Sequence, residues 1–187
     1  MSLPKEALPG KLVAGLLFRD STVQRLIMEA LRDRFGAMDF LSEPRPFTYT
    51  RYYEKEMGSG IFRQTVAFVD LAPPESLPEI KIFTNRLETE LSVDGRRRAN
   101  VDPGLLSEER FILATGKNYT HRIYLGRGIY ADLTLIYQKG SYRILPWTYP
   151  DHRDPLLLHY LEVLRQKLIF QRNGRFPRKA VTKGRHP

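Results

Sequence analysis

Apolar positions along the chain follow three rhythms, and each predicts a different element. Residues 11–18 (KLVAGLLF) form an almost unbroken apolar run ended by Arg19 and Asp20, the pattern of a strand buried inside a sheet. From Ser21 the rhythm changes. Val23, Leu26, Ile27, Ala30 and Leu31 recur at three- and four-residue spacing, which predicts an amphipathic helix with Ser21 and Gln24 at capping-box spacing and Gly36 as its stop. Helical spacing returns in Ile80, Phe83, Leu87 and Leu91, ahead of Asp94-Gly95. It returns again in Leu157, Tyr160, Leu161, Leu164 and Leu168, where Asp154-Pro155 supplies a start and Asn173-Gly174 a stop. The third rhythm is alternation. Ile129, Ala131, Leu133 and Leu135 alternate with Tyr130, Asp132, Thr134 and Ile136, which predicts a strand with one buried face and one more polar face.

Between these segments the composition predicts strands at 47–53 (FTYTRYY), 62–71, 111–115, 121–125 and 142–145, with Gly126-Arg127-Gly128 as a hairpin loop. Residues 96–101 (RRRANV) are ambiguous, with a short edge strand as one reading, and Asp102-Pro103-Gly104 reads as a turn. The element order is β-α-β-β-α-β, then a β-meander and a helix. This predicts a two-layer α+β domain: a largely antiparallel sheet with a ferredoxin-like first half and its helices on one face. The expected organisation is a flexible arm over 1–10, one domain over 11–171 and a basic, disordered tail over 172–187.

Charge and composition narrow the chemistry. The net charge is +9, from 30 Lys and Arg against 21 Asp and Glu. Six of the basic residues (Arg172, Arg175, Arg178, Lys179, Lys183 and Arg185) fall in 172–187, leaving +3 for everything before them. The tail is a possible nucleic-acid contact by counterion release, although Phe176 is its one aromatic residue. The chain has no cysteine, which excludes disulfides, thiolate metal sites and a cysteine nucleophile. No apolar run is long enough to span a bilayer and no secretory signal is visible, so a cytoplasmic setting without a membrane partner is expected.

The sequence blocks KLVAGLLF (11–18), EPRPFTYTRYYEKEMG (43–58), IKIFTNRLE (80–88), GRRRANVDPGLL (95–106), THRIYLGRGIYADLTLIY (120–137) and PWTYPDHR (146–153) resemble an uncharacterised prokaryotic family, a domain of unknown function. The resemblance covers about residues 10–170. Some similar proteins carry the label "GTP-binding protein"; the resemblance implies no established activity, and it leaves cofactors unknown. The residues argue against a P-loop GTPase. Thr115-Gly116-Lys117-Asn118 lacks the first glycine and the hydroxyl after lysine that would cradle phosphate and magnesium, and no Asn-Lys-x-Asp guanine reader is present.

Other site chemistries are excluded in the same way. None of His121, His152, His159 and His186 has Ser or Thr two places on, so the two-histidine phosphoesterase pattern is absent, as is His-Glu-x-x-His; no metal site is expected. Gly58-Ser59-Gly60 does not have nucleophile-elbow spacing, and Gly126-Arg127-Gly128 joins strand to strand, unlike a dinucleotide fingerprint. What remains is a polar cluster. Arg96, Arg98 and Asn100 would share one face of a strand, followed by Asp102, Lys117, Arg122 and Tyr130, with His121 and Asp132 as candidate catalytic residues. Guanidinium forks suit phosphate and carboxylate, so the expected ligand is an anionic or phosphorylated small molecule. The same residues also read as a solvated rim with ordinary cross-strand pairs. Tyr49, Tyr52, Tyr53, Trp147 and Tyr149 either stack bases beside Arg51 and Arg153 or pack over one end of the sheet. Two further readings stay open: a nucleic-acid or ribonucleoprotein adaptor using the tail, and a ligand-free oligomeric scaffold.

Overall fold

A computed structural model describes residue 1 and residues 3–175. Its strands are β1 (Gly10–Phe18), β2 (Met38–Leu41), β3 (Arg45–Pro46), β4 (Phe62–Ala72), β5 (Ala99–Leu106), β6 (Arg110–Thr115), β7 (Arg122–Gly126), β8 (Ile129–Gln138) and β9 (Ser141–Ile144). Its helices are α1 (Ser21–Phe35), α2 (Glu54–Met57), α3 (Leu77–Glu90) and α4 (Pro155–Asn173), with 3-10 turns at Pro74–Ser76 and Pro150–Arg153. The strands form one antiparallel sheet in the order β2-β4-β1-β5-β6-β8-β7, with β3 added beside β4 and β9 beside β8. The class is α+β, with a largely antiparallel open sheet. Strands β1 and β2 run parallel to each other on either side of β4, because each pairs with it antiparallel.

Two cores explain the unbroken apolar run of β1. Leu12, Ala14, Leu16 and Phe18 face α1 and α3, packing with Val23, Ile27, Leu31, Ile80 and Leu87. Val13 faces the other way, packing with Phe111, Leu135 and the α4 residues Leu157, Leu161 and Leu164. Helix α4 therefore covers the second face, and the expected two-layer arrangement is corrected to three layers. A strand apolar on both sides needs cover on both sides. At the far end of α4, the fully buried Lys11 ammonium donates to Asp39, the Phe68 carbonyl and Gln171, tying α4 to β1.

Local expectations are corrected at several places. Asp20, not Ser21, caps α1, its carboxylate accepting from the Val23 amide at 2.9 Å. Residues 47–53 are not a strand. The two-residue β3 precedes them, and Phe47 and Tyr53 fold inward around Leu17, Met57 and Ile61. The four-residue β2 was not expected. Asp102-Pro103-Gly104 lies inside β5, not in a turn. Proline fits there because β6 joins β5 only from Gly104 onward, so no ladder bond is asked of Pro103 on that side. The region expected to be a tail begins inside α4. Arg172 belongs to that helix and is bound by Glu108 and the Pro9 carbonyl. Phe176, Arg178, Lys179, Lys183 and Arg185 lie outside the described residues.

Candidate functional site: a polar recess over Gly15

Every residue of β1 is buried except Gly15, although β1 has partners on both edges. Gly15 sits on the α4 side of the sheet, between Val13 and Leu17. A Cβ placed on it would meet nothing closer than the Asp102 carbonyl at 4.0 Å. Register sets the walls: Thr65 and Asp102 stand opposite Gly15, and Arg63 and Asn100 stand opposite Leu17. Helix α4 does not fill this part of the face. It is enclosed by the 47–61 segment, which packs on Leu17, and by the 3-10 turn at Pro150–Arg153, which Asp151 fastens to Arg63 at 3.0 Å. The result is an open space in mid-sheet with polar walls.

The β5 wall is charged. Asn100 donates to Asp102 at 2.7 Å, and the Lys81 ammonium binds Asp102 at 3.1 Å and the Val101 carbonyl at 3.1 Å. Glu88 accepts from the Val101 amide at 2.8 Å, so α3 supplies the backbone partners that β6 would otherwise give. Arg97 joins Glu56, Glu88 and Asn100. Burial pushes the Asp102 carboxyl upward, but Lys81 and the Asn100 amide outweigh it and leave it below the ordinary carboxylate range. Asp102 is thus an anion set deep in the fold, yet 39% of its side-chain surface stays open, as expected of a group lining a recess. Burial, with the charges of Asp102 and Asp151, pushes the Tyr53 phenol upward and keeps it protonated.

His152 completes the roof. Its ring stacks on Phe111 with centroids 6.3 Å apart, and its Nδ1 lies 3.1 Å from Asp151 Oδ1, at an angle outside hydrogen-bond geometry. Burial would raise the Asp151 carboxyl, but His152 and Arg63 bring it down to about 2. Three polar groups here, the Thr65 hydroxyl, the Tyr53 hydroxyl and His152 Nε2, have no hydrogen-bond partner among the described residues, and none is sealed from solvent. Beside the recess, a hollow of about 310 Å³ lies between β4 and the start of α4, and Arg63 and Thr65 line it too.

The residues singled out in the sequence divide among separate places. His121, Arg122 and Asp132 do come together, because Arg122 is the register partner of Asp132. Asp132 Oδ2 takes Arg122 Nε at 2.8 Å and His121 Nε2 at 3.1 Å, while Arg122 donates to the Tyr149 hydroxyl at 2.6 Å. The His121 ring lies flat on Trp147, 4.8 Å between centroids, with its Nδ1 buried and unpartnered. This cluster is closed: both carboxylate oxygens of Asp132 are engaged, one of them with Thr134.

The shared face expected for Arg96, Arg98 and Asn100 is corrected. Strand β5 starts only at Ala99, so Arg96 ends an exposed turn and Arg98 pairs with Asp20 at the surface. Arg97, which the alternation argument skipped, is the arginine that reaches Asn100. Asn100 and Asp102 line the recess. Lys117 is exposed, its ammonium 5.4 Å from the Tyr52 ring centre. Tyr130 packs against Tyr124. Among the described residues, no three His, Asp or Glu side chains gather as a metal-ligand set. Sequence reasoning missed Arg63, Thr65, Lys81, Glu88 and His152. The one available signal was Asp151-His152, adjacent acid and imidazole in a proline-bounded segment.

Fold and site together define an α+β protein with a polar recess let into the middle of an antiparallel sheet. The chain belongs to the family described as Domain of unknown function (DUF4416), which it matches over residues 8–168. No curated protein and no solved structure matches it. No helix among the described residues is long and apolar enough to cross a membrane.

Proposed function

We propose that this protein binds a small hydroxyl-bearing molecule with a phosphate or carboxylate group in the recess over Gly15. The observation that carries the reading is the open space above Gly15, in a central strand otherwise buried, flanked by Thr65 and Asp102. The open Asp102 carboxylate is an acceptor for ligand hydroxyls, and the partnerless Thr65 and Tyr53 hydroxyls give or take one bond each. The Arg63 guanidinium on the β4 wall is the cation for the ligand's anionic end. Such a ligand suits a cytoplasmic setting. The reading moves the ligand from the closed Asp132 cluster to the recess.

Thermal denaturation of the full chain with nucleotides, sugar phosphates and carboxylates tests this. At least one compound raises Tm, and Gly15→Val, whose side chain occupies the open space, abolishes the rise while keeping the ligand-free Tm near that of the parent. No rise with any compound, or an equal rise in Gly15→Val, would overturn the reading.

A further inference from the structure

We propose that the edge strand β7 pairs with β7 of a second copy of this chain, antiparallel across a two-fold axis, so that two sheets join into one. The inference is independent of the recess and of any ligand. Strand β7 ends the sheet order, and among the described residues only β8 pairs with it. Its outer side therefore presents backbone N–H and C=O groups with no strand to receive them, the template that another strand fits. Three consecutive apolar side chains of β7 are exposed: Ile123 by 69%, Tyr124 by 59%, and Leu125. Single exposed apolar residues are ordinary, but a run of them on an open strand edge marks a surface that meets another chain.

The other edge strands carry protection that β7 lacks. In β2 the Asp39 carbonyl is taken by the Lys167 ammonium of α4. Strand β3 is two residues long and ends in Pro46. Strand β9 carries the exposed Arg143, and Pro146 follows it closely. Short length, proline and outward charge are the devices that keep sheet edges from pairing. Strand β7 has no proline, and its one charged residue, Arg122, is turned inward onto Asp132 with 8% of its side-chain surface exposed. The register shift of β7 against β8 falls after Tyr124, beside the hairpin turn, so 122–124 are regularly paired.

Charge and register select the occupant. The chain is basic, so a like-charged copy docks best where its charge is already neutralised. At this edge it is: Asp132 holds Arg122, and Glu79 of α3 holds Arg127 in the turn. A two-fold axis at Ile123 sets Ile123 beside Ile123 on one face of the joined sheet, and Tyr124 beside the partner's Arg122 on the other. No two like charges stand opposite each other, except for arginines already paired within their own chain there are no charges at all, and the ring of Tyr124 lies along an arginine. Tyr124 enters preorganised, its ring 5.1 Å from that of Tyr130 and its hydroxyl accepting from the Gly128 amide at 3.2 Å. The exposed Tyr119 and Trp147, joined through the His121 ring between them, add the aromatic composition of an interface centre. A nucleic acid stacks on such rings but uses neither the open backbone edge nor Ile123.

Sedimentation equilibrium of the full chain over a range of concentrations tests the proposal. The parent forms a dimer, at twice the 21.8 kDa of one chain. Ile123→Lys and Ile123→Glu each set two like charges face to face across the axis and weaken the dimer by about thirtyfold or more. Because Ile123 is exposed, both variants keep the parent's far-ultraviolet circular dichroism. An equal mixture of the two variants restores the dimer, because lysine then faces glutamate. A parent that stays monomeric into the millimolar range, a dimer that survives Ile123→Lys, a mass that keeps growing with concentration, or a mixture that fails to restore the dimer overturns the proposal. A monomeric parent in which single-stranded RNA quenches the fluorescence of Trp147, the one tryptophan of the chain, overturns it in favour of nucleobase stacking.

Discussion

Trp147 donates its indole N–H to the Leu133 carbonyl at 2.7 Å, and so occupies the stretch of β8 that lies between its two short partners. Strand β7 pairs with β8 up to Asp132 and β9 begins at Leu135, leaving Leu133 and Thr134 without a strand neighbour on that edge. Thr148 completes the plug by donating to the Thr134 carbonyl at 2.7 Å while accepting from the Leu145 amide. The segment that follows carries Asp151 and His152, so the plug places the roof of the recess. Trp147→Phe keeps the ring on His121 but loses the N–H, and costs about 1 kcal/mol. Thr148→Val, at a buried site with two bonds, costs about 2 kcal/mol. Urea denaturation measures both, and a loss near zero in Thr148→Val would show that the plug does not depend on Thr148.

Two glycines of the same sheet face should respond oppositely to a methyl group. At Gly104 an added Cβ would come within 2.6 Å of the Ile112 carbonyl and 2.7 Å of the Phe111 ring, so the strands β5 and β6 would have to part. Gly104→Ala costs about 2–3 kcal/mol. At Gly15 the methyl enters open space, and Gly15→Ala stays within about 0.5 kcal/mol of the parent. Paired chemical denaturation of the two variants checks this. Comparable losses would mean that the space over Gly15 closes in solution.

Much of the fold was legible because periodicity reports burial directly. The apolar stripes of α1, α3 and α4 sit where their patterns put them. The alternation expected in β8 is corrected: Asp132 and Thr134 are buried and Leu133 is half-buried, because a register shift against β6 sends Ile129 and Leu135 into different cores. The second sheet layer was also legible in principle. Residues 11–18 are apolar on both faces, which demands cover on both, and α4 is the element that provides it. What could not be read depends on partners far away in sequence. Pro103 is acceptable in a strand only because β6 diverges beside it, a fact of topology that the Asp-Pro-Gly triplet does not carry. The pairing of Arg122 with Asp132 followed from the hairpin, so that part of the polar cluster was reachable. The recess was not, because Thr65, Gly15 and Asp102 meet through strand pairing between segments about fifty and ninety residues apart.

The closed cluster around Asp132 should behave as structure. Arg122 and Asp132 are both buried, with 8% and 3% of their side-chain surfaces exposed, so Asp132→Asn strands a guanidinium away from water. The expected loss is about 3 kcal/mol. Arg98→Ala, which removes an ion pair to Asp20 with both partners largely open, changes stability by no more than about 0.5 kcal/mol. Guanidinium chloride midpoints compare the two. A small loss in Asp132→Asn would show that Arg122 finds other partners.

The Asp151 contact makes a prediction about acid. Its carboxyl is held at about 2 in the folded chain against an ordinary 3.8, because His152 and Arg63 outweigh the cost of burial. A carboxyl with a lowered folded pKa stabilises the fold above its ordinary pKa, and that contribution disappears as pH falls from about 4 to about 2. The difference corresponds to about 2 kcal/mol at neutral pH. The depression of Asp102 acts with the same sign. Asp151→Asn should therefore be less stable than the parent at pH 6 by about this amount, and the gap should close as pH approaches about 2. Urea titrations of both proteins at stepped pH read the gap directly. A gap that stays constant through this range would mean that the loss comes from packing and not from the charge, and that Asp151 does not hold Arg63 and His152 electrostatically.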